Sequence, residues 1–151
     1  MNKKVIVIKP GEKRKTIYGA GDEYYYFATG KETDGQYFFF EGVIPPGGGP
    51  PPHIQTREEE AFYILEGEIT FWVDDEQVVA PKGTYINVPK GVKHNFKNQT
   101  TEVGRILFFF APAGIERMFD ELVEDEEMAN NPDNLLESLN AVGQKYGVTF
   151  L

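Results

Sequence analysis

From residue 5 to about residue 110 the chain keeps breaking short runs of Val, Ile, Phe and Tyr with clusters of Gly, Pro, Asn and Asp. A chain punctuated this often has no room for long helices and must fold as many short strands joined by tight reversals. The strands read as 5–8, 24–28, 37–44, 53–56, 61–65, 68–73, 77–80, 85–88, 93–96 and 104–110. Asp74 and Asp75 supply a hairpin turn, and Gly67 a second reversal. About ten strands in so small a unit predict a β-sandwich or a closed barrel.

After Pro112 the period changes. Ile115, Met118, Phe119, Leu122 and Val123 fall on one stripe of an amphipathic helix. A second helix is expected to start at Asn131 as N-cap and Pro132 in the first turn. Leu135, Leu136, Leu139 and Val142 form its apolar face, and Gly147 ends it. These stripes either cover the strands or pair two subunits.

A length of 151 residues suits one domain over 1–151, with a strand core at about 5–111 and a helical extension at about 113–147. The net charge of −9 is unevenly spread: residues 1–110 carry −2 and residues 111–151 carry −7. Such a chain repels a phosphate backbone, so nucleic acid is not an expected partner. The run Glu124, Asp125, Glu126 and Glu127 reads as a solvated face. With no cysteine, disulfides and thiolate chemistry are excluded. The apolar run Val5–Ile8 is shorter than a signal-peptide core, and residues 106–111 are too few to span a bilayer. A cytoplasmic protein away from the membrane is expected.

The chain holds two histidines, His53 and His94. His53 and Gln55, two apart on a strand, point to one face and can reach one point. Glu60 can join them if its strand lies alongside, and His94 arrives from a later strand after the turn Pro89-Lys90-Gly91. Two imidazoles and a carboxylate on rigid strands match the arrangement that leaves open positions on a non-haem divalent metal. The competing reading is that each histidine is an ordinary core or surface residue, and spacing alone does not decide between them.

Gly47 followed by His53, Gln55, Glu60 and Gly67 resembles the first motif of the cupin superfamily. The second motif matches at Gly83, Pro89, Gly91, His94 and Asn98. The resemblance, closest in kind to small quercetin 2,3-dioxygenase-like cupins, implies an all-β double-stranded β-helix: a jelly-roll barrel with two C-terminal helices. It implies one divalent transition metal (Fe, Mn, Ni, Co, Cu or Zn) on His53, Gln55, Glu60 and His94. Gln55 stands where intact sites have a histidine, and its neutral amide oxygen is the weaker donor, so metal binding is weakened or lost. The resemblance further gives Glu60 a catalytic role as acid and base.

If Glu60 points inward, strand parity takes Phe62 and Ile64 with it, and His94 takes Phe96. These three either line an apolar substrate pocket or merely fill the interior. Arg57, Glu58 and Glu59 are expected at a solvated rim, and Asn98 is expected to end its strand by local hydrogen bonding. The implied activity is a dioxygenase opening a flavonol or similar hydroxylated aromatic. Two alternatives stay open: a degenerate cupin holding a small phenolic ligand, and a non-redox isomerase. By analogy with cupins, a homodimer through edge strands is expected.

Overall fold

A computed structural model describes residues 4–19, 21–124 and 132–151. Among the described residues, eleven strands form two antiparallel sheets. The strands are β1 (Thr16–Gly19), β2 (Asp22–Ala28), β3 (Phe38–Ile44), β4 (His53–Gln55), β5 (Glu59–Glu66), β6 (Glu68–Val73), β7 (Glu76–Pro81), β8 (Tyr85–Val88), β9 (His94–Lys97), β10 (Gly104–Ala111) and β11 (Val148–Phe150). The helices are α1 (Gly30–Thr33), α2 (Glu116–Glu124) and α3 (Leu135–Gly143).

The larger sheet runs β1-β2-β3-β10-β5-β8 and the smaller β11-β4-β9-β6-β7. Each order begins and ends on a different strand, so neither sheet closes. The expected jelly-roll barrel is therefore corrected to an open two-sheet sandwich. Short strands with turn residues are compatible with either outcome, and only the hydrogen-bonding of the edge strands decides between them.

The inner faces of β3, β5 and β10 follow strict alternation. Phe38, Phe40 and Ile44 on β3, Phe62 and Ile64 on β5, and Ile106, Phe108 and Phe110 on β10 are all buried. Phe40 stacks on Phe108 at 4.5 Å between centroids, and Phe62 meets Phe71 of the opposite sheet edge-on at 5.0 Å. Each such side chain contributes about 1.5–3 kcal/mol on burial, so this aromatic layer is what holds the two sheets together.

The helices close one open side of the sandwich. α2 packs on β1, the edge of the larger sheet; α3 packs on β11, the edge of the smaller, and the two helices meet. Ile115 and Met118 are buried, and Phe119 rests against Tyr24, Phe38, Phe40 and Phe110 of the inner face. In α3 the expected stripe is only half used: Leu139 is buried and Val142 packs on the core, whereas Leu135 and Leu136 are exposed. Pro132 opens a 3-10 turn, Pro132–Asn134, that precedes α3. The expected N-cap Asn131 and the acidic residues Asp125, Glu126 and Glu127 lie outside the described residues.

Three further strand assignments differ from the sequence expectations. Val5–Ile8 joins no strand, and Val5 is 83% exposed. β1 is a strand that the Lys- and Arg-rich stretch before it conceals. β11 follows the helices and pairs with β4, a long-range partner that no local pattern announces. The turn at Asp74 and Asp75 and the reversal at Gly67 stand as expected.

Candidate metal centre

Between the sheets, His53, Glu60 and His94 each present one ligand atom, all within 4.8 Å of one another, and all three residues are buried. His53 and His94 oppose each other in the register pair that joins β4 to β9. Glu60 joins them although its strand does not lie alongside β4. It stands on β5 in the other sheet and reaches across, placing Oε2 2.9 Å from His94 Nε2. The centre is thus a bridge between the two layers. Gln55 joins from β4, its Oε1 3.0 Å from His53 Nε2.

The Gly- and Pro-rich segment before His53 is pinned to the end of β9. Gly47 N–H donates to Asn98 O at 2.7 Å, and Asn98 N–H donates to Gly48 O at 2.9 Å. Gly49 has φ 134°, and a Cβ there would fall 2.1 Å from Phe96 O, so only glycine lets the segment lie this close. The Asn98 side chain donates to Ile44 O and Glu102 O at 3.0 and 2.7 Å, tying three connections together at one strand end.

Tautomers follow from the partners. Each Nδ1 lies 3.0 Å from a carbonyl oxygen two residues upstream, Pro51 O for His53 and Val92 O for His94. A carbonyl only accepts, so each Nδ1–H donates and each Nε2 is turned to the centre. Burial, reinforced by the neighbouring His94, holds the His53 pKa below its ordinary value. At His94 burial pulls the same way, but the hydrogen bond and charge of Glu60 overcome it and raise the pKa. His53 Nε2 therefore presents a lone pair to Gln55 Oε1, another acceptor, while Gln55 Nε2 is buried without a partner. Two arrangements relieve this: the amide turned to donate to the imidazole, or a cation held between the two lone pairs. The donor set of imidazole, carboxylate and amide oxygen fits a divalent transition metal on His53, Glu60 and His94, with Gln55 beside them.

Phe62, Ile64 and Phe96 point inward as parity required, and all are buried. The Phe62 ring stands edge-on to His94 at 6.1 Å and to Phe96 at 6.0 Å. A surface groove of about 1120 Å³ lies elsewhere, among Lys13, Lys31, Glu116 and Arg117, and includes none of these residues.

Arg57 and Glu59 are exposed as expected, but Glu58 is 3% exposed, with Oε2 unpartnered, and burial pushes its carboxyl up to about 7. It continues the inward series Glu58, Glu60, Phe62 and Ile64, a period of two that extends two steps past the apolar residues. Asp22 also escaped the sequence reading. It is 1% exposed, accepts from the Tyr24 hydroxyl at 3.1 Å, and burial raises its carboxyl to about 6. Its signal was the alternation of Asp22, Tyr24, Tyr26 and Ala28 on the inner face of β2.

The chain is thus an open sandwich of two antiparallel sheets with a buried His-Glu-His cluster between them. Residues 40–110, a little under half of the chain, match the family described as Cupin domain, and the solved structures that the chain resembles show that it has the cupin fold. Over 92 residues, 60% of this chain, it is 29% identical to the quercetin 2,3-dioxygenase of Bacillus subtilis, of whose length the match spans 27%. Among solved structures it resembles an RmlC-like cupin from Shewanella frigidimarina, with a TM-score of 0.64 and 20% identity over 77% of this chain and 99% of that one. It also resembles KdgF from Halomonas sp., with a TM-score of 0.64 and 13% identity over 76% and 98% of the two chains. Among the described residues, no helix is long and apolar enough to cross a membrane.

Proposed function

We propose that the chain is a metal-dependent cupin dioxygenase acting on a flavonol or similar hydroxylated aromatic. The observation that carries this reading is the buried convergence of His53, Glu60 and His94 from two sheets on one point. His53, Glu60 and His94 would hold the metal and Gln55 would donate weakly or orient a ligand water. When bound, the metal supplies Lewis acidity and a path for electrons between an electron-rich substrate and O2. Glu60 accepts the proton of the substrate hydroxyl, while Phe62, Ile64 and Phe96 exclude water and flank the ring. We take the chain as one domain working as a cytoplasmic homodimer on a small molecule.

Gln55 favours a second reading, a cupin that holds a phenolic ligand without turning it over. The test is to measure metals in the purified protein and in Gln55→His, then follow O2 uptake with flavonols. The enzyme reading expects bound metal, uptake abolished by chelation, and a gain in metal affinity of roughly tenfold or more on restoring histidine. Metal-replete protein that consumes no O2 overturns the dioxygenase. Absence of metal from both forms supports the binding protein.

A further inference from the structure

β4 supplies two of the four donors, yet it is three residues long and meets β9 in the single register pair His53–His94. Its other side is held along its whole length by β11, which pairs Val148 with Gln55, Thr149 with Ile54 and Phe150 with His53. The flanks extend this seam: Leu151 N–H donates to Pro52 O at 2.8 Å, and Thr56 N–H donates to Gly147 O at 3.0 Å. The placement of His53 therefore depends on the last strand of the chain, almost a hundred residues away in sequence.

β11 is itself an edge strand. At Phe150 the backbone groups turn away from β4, and the Asn140 side chain takes both: Phe150 N–H donates to Oδ1 at 2.8 Å, and Nδ2 donates to Phe150 O at 3.0 Å. One amide on α3 thus substitutes for the next strand of the sheet. α3 lies close enough to do this because position 143 is glycine; a Cβ there would come within 2.7 Å of Val148 O. The Phe150 ring, so fixed, lies 5.7 Å from the His53 imidazole, centroid to centroid.

We propose that Asn140 is a positioning residue: by locking Phe150 against β4 it sets the place of the His53 imidazole, and through it the affinity of the centre for a divalent cation. Only the affinity part rests on the metal-centre reading; the placement of the ring does not. A donor displaced by about half an ångström already degrades such a site, so a frayed β11 is enough to weaken it.

The test compares wild type with Asn140→Ala, which removes both hydrogen bonds, and Asn140→Asp, which keeps the acceptor for Phe150 N–H. Ile69→Val, in the core of β6 and remote from β11, serves as a destabilised control. The readouts are the NMR signals of the two imidazoles and a titration with Zn2+ alone. Asn140→Ala is expected to shift the His53 ring signals, leave those of His94 near their wild-type positions, and weaken zinc binding by about tenfold. Asn140→Asp should do the same to a smaller degree and supplies the answer if the alanine variant does not fold. Ile69→Val should change neither readout. His53 signals that stay in place in a folded Asn140 variant overturn the proposal, whatever zinc does. Wild type that binds no zinc while Asn140→Ala still displaces His53 overturns the metal reading and supports the positioning role.

Discussion

His53 and His94 face each other across β4 and β9 with imidazole centroids 4.4 Å apart, and each anchors its Nδ1 to the carbonyl two residues upstream. The same local device acts twice, so both rings enter the centre by Nε2. A slip of one residue in either strand would send its ring to the opposite face. Strand register is therefore the first determinant of the centre, ahead of any contact between the donors themselves.

The Glu60–His94 pair makes cation uptake proton-linked. The raised His94 pKa means that the ring carries a proton beside Glu60 at pH values below that raised value. A metal at Nε2 must displace it, so affinity should rise with pH and level off above the raised pKa. Calorimetric titration with Zn2+ in buffers of differing ionisation enthalpy should show proton release at pH values below the raised pKa. Heats independent of the buffer would refute this link. Without metal the sign reverses: His94 adds stability below its ordinary 6.5, and that stability is lost as pH rises through the raised value.

Asp22 should make the fold less stable as pH rises. Its carboxyl moves from 3.8 to about 6 on burial, so the protonated form is favoured in the folded state. The stability present below pH 3.8 is lost up to about pH 6, with a total change on the order of 3 kcal/mol. Denaturant titrations of wild type and Asp22→Asn across that window should differ in slope, the variant being flatter. Parallel curves would show that Asp22 is not the group responsible.

Phe119 is the stopper that α2 drives into the open side of the sandwich, within 6.0 Å of the rings of Tyr24, Phe38, Phe40 and Phe110. Phe119→Ala should cost about 2–3 kcal/mol in urea unfolding, below the roughly 3–5 kcal/mol of a fully buried phenylalanine because the ring is only partly buried. A loss below about 0.5 kcal/mol, the size of an ordinary surface substitution, would mean that the helix lies on the sheets without closing them.

Most strands, the hairpin turns and the inward parity of Glu60, Phe62, Ile64 and Phe96 were legible because a period of two is a local property. The motif spacing likewise pointed to His53, Glu60 and His94. Glu58 and Asp22 were missed because a carboxylate is expected to seek water, and the alternation that buries them extends beyond the apolar residues that advertise it. Val5–Ile8 misled for the converse reason: a β-prone run forms a strand only where a partner edge receives it.

The amino-acid order by itself determined which side chains alternate inward, where the chain reverses, and that both imidazoles precede or follow glycine-rich turns. These features depend on neighbours a few residues apart. Tertiary structure decided that the sheets stay open, that Glu60 crosses from the other layer, and that β11 with Asn140 secures β4. Those relationships join segments tens of residues apart, and they exist only once the aromatic layer has packed and brought distant edges within hydrogen-bonding reach.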